Sequence, residues 1–347
     1  MIERKISKIR SFLRHCGSDA FLLSALPNIR YISGFSGTSA WLLITKREQI
    51  FVTDFRYKLQ SKKELKGRFE IKLIKGSINS LIKNIALQRK INSLCFEAEQ
   101  LTVARYNQLK TILKGKVRLI PTKNVIQKHR LIKTPAELRL IQTAVTITKK
   151  SLLKLEPFIK SGVTEIFLKN KLEQILKSYG GQKTAFDIIV ASGTNAAMPH
   201  AQTTQKEIKN KEPIIIDVGV DFKGYKSDLT RTFFSGKITQ YDNYYKLVAT
   251  AQDRAIKLIR PQVKIQKIDH AARQTLKVAG LSQYFGHALG HGIGLEVHEA
   301  PRICAKNKQR LKAGMVFTIE PGIYIPGWGG IRIEDMVVVT KKGYKIL

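Results

Sequence analysis

Apolar residues recur at helical spacing at the start of the chain, at Ile2, Ile6, Ile9, Phe12 and Leu13, and predict an amphipathic helix over residues 2–16. The pattern then changes to short apolar runs that alternate with helical periods. Strands are predicted over 20–24, 40–45, 49–53, 70–74, 93–97 and 117–120, with helices over 77–87 and 102–113. This is the signature of a small α/β layer domain over residues 1–125. Thr134-Pro135-Ala136-Glu137 then supplies an N-cap, a proline at the first helical position and an acid in the first turn. A long helix to about residue 158 follows. The next helix opens at Thr164 and stops at Gly180-Gly181. Beyond Phe186 the pattern is strand-rich and punctuated by glycine, apart from helical stretches over 241–259 and 265–278. Two apolar strands, 214–218 and 315–319, each end beside an acid, which fits a duplicated half-domain. The fold class expected is α+β, with a second domain over 130–347.

A chain of 347 residues suits two domains, and 43% apolar with 25% charged residues is ordinary for a folded protein. The charge is not ordinary: 61 Lys+Arg against 26 Asp+Glu leave +35. Nucleic-acid binders concentrate such charge in tracts or on one face. Here it is scattered as singles and pairs such as Lys62-Lys63, Lys149-Lys150 and Lys341-Lys342, which argues against a nucleic-acid partner. Cys16, Cys95 and Cys304 are widely spaced, odd in number and outside any CxxC, and read as buried thiols in a reducing compartment. No apolar run reaches membrane-spanning length, and the first residues lack the continuous apolar core of a signal peptide. The expected location is cytoplasmic, with no membrane partner.

The chemistry lies in the second domain. Residues 214–234 read as a β-hairpin with Asp221-Phe222-Lys223-Gly224 as a four-residue loop, which sets Asp217 directly opposite Asp228. Two facing carboxylates are unfavourable unless a cation lies between them. Glu320 ends the apolar run MVFTIE, and Glu334 lies in GGIRIEDMVVV, read as one strand with Arg332 on the same face. A Glu334–Arg332 ion pair would account for the first glutamate but not for Glu320. His287, His291 and His298 fall within a dozen residues among glycines, and spacing alone does not rank them. Four acids and an imidazole form a charge-neutral box for two divalent cations. Hard oxygen donors with one imidazole favour Mn2+, Co2+ or Zn2+ over copper. Two such ions would hold a bridging hydroxide and polarise a carbonyl, the requirement for metal-assisted hydrolysis.

FDIIVASGTNAAMPHA, IIIDVGVDFKGYKSDLTRT, FGHALGHGIGLEVHE, MVFTIEPGIY and GGIRIED together resemble metallopeptidase family M24, the pita-bread fold, in its Xaa-Pro aminopeptidase and prolidase branch. NIRYISGFSG and FVTDFRY resemble the N-terminal domain of that branch, the creatinase type. The resemblance implies that Asp217, Asp228, His291, Glu320 and Glu334 hold two metal ions per subunit, Mn2+ first, with Asp228 and Glu334 bridging. It implies Glu320 as proton shuttle, His200 and His298 as further catalytic groups, and His287 and Arg332 as residues of the substrate pocket. The implied partner is a proline-containing peptide and the implied assembly a homodimer. The implied activity is that of an Xaa-Pro aminopeptidase, with Xaa-Pro dipeptidase as the alternative and a non-enzymatic pita-bread binding protein as the remote one.

Overall fold

The computed structural model describes residues 2–237 and 239–347. The chain divides into a first unit ending at His129 and a second running from Arg130 to Leu347. In the first unit, helix α1 (Ile2–His15) buries Ile6, Ile9 and Leu13, one face at helical spacing. Strands β1 (Ala20–Leu23), β2 (Trp41–Thr45), β3 (Gln49–Thr53), β4 (Glu70–Leu73), β5 (Ser93–Glu97) and β6 (Arg118–Thr122) form one sheet in the order β4-β3-β2-β1-β5-β6. The β1–β2 and β2–β3 pairs are antiparallel and the remaining pairs parallel.

Helices α2 (Leu26–Ser33), α3 (Lys58–Leu65), α4 (Ile78–Gln88), α5 (Val103–Leu113) and α6 (Val125–Arg130) complete this part of the chain. The hydroxyls of Ser77 and Thr102 accept from the first-turn amides of α4 and α5. Three of these helices carry no signal in the apolar pattern. Helix α3 reads KLQSKKEL, polar on nearly every side, so its period is invisible. Helices α2 and α6 have eight and six residues, too short for a period to repeat.

The second unit opens with α7 (Pro135–Leu155), which carries a complete capping box: Thr134 Oγ1 accepts from Glu137 N–H, and the Glu137 carboxylate accepts from Thr134 N–H. Helix α8 (Glu165–Ser178) is capped by Thr164. Next come β7 (Lys183–Thr184), β8 (Ile189–Ser192), β9 (Pro213–Val218), β10 (Val220–Phe222), β11 (Tyr225–Lys226) and β12 (Leu229–Phe234). Helices α9 (Thr239–Lys257) and α10 (Ile265–Val278) precede β13 (Gly290–Gly292), β14 (Glu299–Ile303), β15 (Val316–Ile319), β16 (Gly322–Ile325), β17 (Gly329–Arg332), β18 (Asp335–Val339) and β19 (Tyr344–Ile346).

The two helix pairs repeat each other's backbone bonding. Gly162 N–H donates to Ile208 O and Gln262 N–H to Leu311 O, while Ile208 N–H returns to Val163 O and Leu311 N–H to Val263 O. Isolated bridges Thr164–Glu207 and Lys264–Arg310 sit just before α8 and α10. Each half builds its own apolar core, α7 and α8 with β8 and β9, α9 and α10 with β15 and β18. Asp217 and Asp228 come from the first half and His291, Glu320 and Glu334 from the second. The halves are joined there by Glu334 N–H donating to Thr230 O and by Thr232 Oγ1 donating to Arg332 O.

Two local expectations are corrected. The hairpin loop has two residues, Lys223-Gly224, closed by the Phe222–Tyr225 pair. Both take positive φ, 51° and 88°, as a type I′ turn demands. Lysine seldom adopts that conformation, so the composition did not announce it. Asp217 consequently faces Thr230, and Asp228 lies diagonally, on the same face two residues along. The second correction concerns Glu334, which is in no strand: β17 ends at Arg332 and β18 begins at Asp335. The chain leaves one sheet for another there, drawn by the Glu334–Thr230 backbone bond.

Candidate metal centre

Asp228, His291 and Glu334 each place one donor atom within 4.8 Å of the others. His291 is presented by β13, which is pressed between β14 and β15. A Cβ on Gly290 would lie 2.0 Å from Thr318 O, and one on Gly292 2.1 Å from Ala300 O, so only glycine allows this approach on either side of the imidazole. His291 Nδ1–H donates to Gly292 O at 3.2 Å, leaving Nε2 with its lone pair exposed. That lone pair lies 3.5 Å from Asp228 Oδ2 and 3.5 Å from Glu320 Oε1. An imidazole lone pair and two carboxyl oxygens therefore converge. Asp217 Oδ1 is buried and has no hydrogen-bond partner.

Burial, then the charges of Glu334, Asp217 and Glu320, push Asp228 well above the usual carboxylate range. Glu334 is raised well above it too, by burial and then by Glu320 and Asp217. Glu320 is pushed up to about 8, chiefly by burial, with Arg332 opposing and Asp217 adding to the rise. Burial, reinforced by His298, lowers His291 to about 4, so its ring is neutral near pH 7. Buried acids that repel one another, an orphaned carboxylate oxygen and an acceptor-facing imidazole are what divalent cations would relieve. The donor set fits such ions.

Arg332 is the buried cation that ties the cluster together. Its guanidinium donates to Asp217 Oδ2 at 2.6 Å, Tyr324 Oη at 2.9 Å, Thr230 Oγ1 at 3.1 Å and Pro199 O at 3.1 Å. The alternative of a Glu334–Arg332 ion pair is not made directly: Thr230 stands between, donating to Glu334 Oε2 at 2.7 Å. Arg332, at the end of β17, pairs directly with Asp217. Tyr324 links Arg332 to His287, whose Nδ1–H donates to Ala288 O and whose Nε2 accepts from the tyrosine at 3.0 Å. Thr318 likewise accepts from His291 N–H and donates to Glu320 Oε1. Tyr324, Thr230 and Thr318 were missed in the sequence. Thr230 and Thr318 each stand two residues from a candidate acid, hence on its strand face, and that alternation was the available signal.

All the candidates line one cavity of about 840 Å³, together with His200, His287, His298, Arg302 and Arg332. The His298 ring meets that of His291 edge-on, centroids 4.2 Å apart. His200 lies on an exposed turn whose base is held by Glu165, fully buried at the start of α8. The Glu165 carboxylate accepts from Ser192 N–H and Oγ, Asn195 Nδ2, and Thr204 N–H and Oγ1.

On the other side, β14 is clamped at Glu299, next to His298. Its carboxylate meets Arg130 and, at 2.6 Å, Lys133; both cations are almost out of water. Burial pushes Glu299 up, but Lys133 and Arg130 outweigh it and hold its carboxyl below the usual range. A depressed folded pKa contributes stability above the unfolded value of about 4.3 and loses it as pH falls through the folded one. Glu299→Gln is therefore expected to cost roughly 3–5 kcal/mol at neutral pH, because it removes the carboxylate from buried Lys133 and leaves buried Arg130 to rely on Glu296. In urea unfolding the gap to the parent should narrow below about pH 4; a gap that ignores pH would show that the carboxylate charge is not what holds this clamp.

Comparison with known proteins bears on this arrangement. Residues 139–341 match the profile of Metallopeptidase family M24, and residues 5–132 that of the Creatinase/Prolidase N-terminal domain. An uncharacterized peptidase of Bacillus subtilis is 35% identical over 344 residues, 99% of this chain and 97% of its own length. The structure of an Xaa-Pro dipeptidase from Bacillus anthracis superimposes with a TM-score of 0.96 at 36% identity, covering 100% of this chain and 97% of that one. An X-Pro aminopeptidase from Thermotoga maritima gives 0.89 at 34% identity, covering 95% of each. Fold and acid cluster together define the class, a metallopeptidase built of two domains. The chain belongs to metallopeptidase family M24, with a creatinase-type N-terminal domain ahead of the pita-bread domain.

Proposed function

We propose that the protein hydrolyses the bond between an N-terminal residue and a following proline, with Xaa-Pro dipeptides as its preferred substrates. The observation that carries the hydrolytic part is the convergence of the His291 lone pair with oxygens of buried Asp228 and half-buried Glu320 at 3.5 Å. Asp217, Asp228, His291, Glu320 and Glu334 would hold two divalent cations, Mn2+ first. When bound, these would polarise the scissile carbonyl and make a water nucleophilic at neutral pH.

The protein's own groups handle the proton and the substrate. Glu320, at the cavity wall, takes a proton from the attacking water and delivers it to the departing proline nitrogen. That nitrogen carries no N–H before cleavage, so a site gripping the carbonyl side loses nothing by it. His200 and His298 donate to the carbonyl oxygen as it gains charge. His287, fixed by Tyr324, and Arg332 shape the pocket for the ring. Mn2+ as resident ion, a homodimer and a cytoplasmic location complete this reading.

The preference for dipeptides rests on Arg302 and on relatives named for that activity. Arg302 lies directly across the strand pair from His291, exposed on the cavity wall. A free carboxylate just beyond proline would meet it, as no internal peptide group would. The aminopeptidase reading draws support from the Thermotoga maritima relative. Mn2+-loaded protein should cleave Ala-Pro faster than Ala-Pro-Ala-Ala, and Arg302→Ala should raise KM for the dipeptide alone. Faster cleavage of the tetrapeptide would establish the aminopeptidase; no cleavage of either would end the proline assignment.

A further inference from the structure

We propose that Cys16 and Cys95 form a dithiol that hydrogen peroxide converts to a disulfide within the first unit. The two residues stand 79 positions apart and outside any CxxC, so nothing in their spacing suggests a pair. Folding brings their Sγ atoms to 3.9 Å. The expectation of three buried thiols holds for Cys95 alone, since Cys16 is exposed and Cys304 intermediate. Cys16 follows the last turn of α1, and Cys95 lies in the middle of β5, fully buried between β1 and β6.

This asymmetry sets the order of events. Peroxide in solution reaches Cys16 and not Cys95. The Cys16 thiolate attacks one peroxide oxygen: an S–O bond forms, the O–O bond breaks, and the departing hydroxide takes up a proton as water. The product is a sulfenic acid on Cys16. Cys95 then attacks that sulfur, the S–S bond forms, the S–O bond breaks, and hydroxide leaves with the Cys95 proton as a second water. Two thiols and one peroxide thus give one disulfide and two waters, each sulfur losing one electron and the peroxide gaining two. The sulfurs must approach by roughly 2 Å. Beside Cys95, the Cys16 thiol makes a weak 3.6 Å contact to Leu13 O. Burial pushes the Cys95 thiol up to about 11. It therefore remains a protonated thiol until the neighbouring sulfenic acid presents an electrophile at contact distance. The bond would tie the end of α1 to the sheet and spare Cys16 from irreversible oxidation.

The test does not read peptidase activity, so it stands or falls apart from the function proposed above. Reduced full-length protein is treated with equimolar hydrogen peroxide, denatured, alkylated with iodoacetamide, and analysed by intact mass and peptide mapping. The expected chain has lost two hydrogens, alkylates at Cys304 alone, and yields one linked peptide containing Cys16 and Cys95; dithiothreitol restores all three thiols. Cys16→Ser, a change at an exposed position, should show no such loss and alkylate at both remaining cysteines. The proposal is overturned if Cys16 proceeds to sulfinic or sulfonic acid while Cys95 still alkylates. A disulfide between two chains, or one that includes Cys304, overturns it equally.

Discussion

Asp228→Ala is expected to abolish metal binding and hydrolysis together while leaving the metal-free protein at least as stable as the parent. The carboxylate is 5% exposed, diagonal to Asp217 on one hairpin face and 3.5 Å from the His291 lone pair. In the metal-free protein its burial, and then the charges of Glu334, Asp217 and Glu320, disfavour its ionised form. Removing it relieves repulsion, in contrast to the usual cost of deleting a buried polar group. With divalent ions present the sign reverses, because ions that bind only the folded parent stabilise it by mass action. Transition-state stabilisation of several kcal/mol by the ions corresponds to a turnover loss of about 10³-fold or more. Metal content, kcat on Ala-Pro, and thermal unfolding with and without Mn2+ provide the check. A variant that still binds ions at the parent's stoichiometry would remove Asp228 from the ligand set.

Arg332→Ala should destabilise the second unit by roughly 3–5 kcal/mol, as removal of one partner of a buried ion pair does. Its guanidinium is 4% exposed and serves Asp217, Tyr324, Thr230 and Pro199 at once. Alanine would leave Asp217 as an unpaired acid beside three others, and Tyr324 without its donor. The Tyr324–His287 bond and the turn bearing His200 would lose their common anchor. Arg332→Lys keeps the charge but cannot reproduce a planar fork aimed in several directions. It should recover part of the stability while turnover stays about 10–100-fold down, the usual effect of removing a group that orients ligands. Thermal unfolding alongside kcat for both variants separates the two roles. Full recovery of turnover by lysine would reduce Arg332 to a counter-charge.

Much of this molecule is written in local patterns. Helices α4, α5, α7 and α10 follow from an apolar period joined to a cap or a stop, and Thr134 with Glu137 realises the expected capping chemistry. The acids beside apolar runs were visible because a charge in such a setting needs a partner. Other features were hidden because their cause lies in the backbone or across the chain. The Lys223-Gly224 turn depends on a positive φ at lysine, which shifts the pairing by two residues and replaces a face-to-face Asp217–Asp228 pair with a diagonal one. Arg332 looked like a partner for Glu334 two residues away. It pairs instead with Asp217, because the chain changes sheets between them.

The sequence by itself determined which side chains could do chemistry and the elements they stand on, since hydrophobic period, capping and turn residues are short-range effects. The tertiary structure decided their company: two halves with matching backbone bonds meet so that acids from one face the imidazole of the other. Only that meeting buries Asp228 and Glu334, brings the His291 lone pair to 3.5 Å from Asp228 and Glu320, and sets buried Arg332 among them. Burial and convergence depend on distances between residues more than a hundred positions apart. No local pattern encodes those, and they turn separated acids into a site that would draw metal ions.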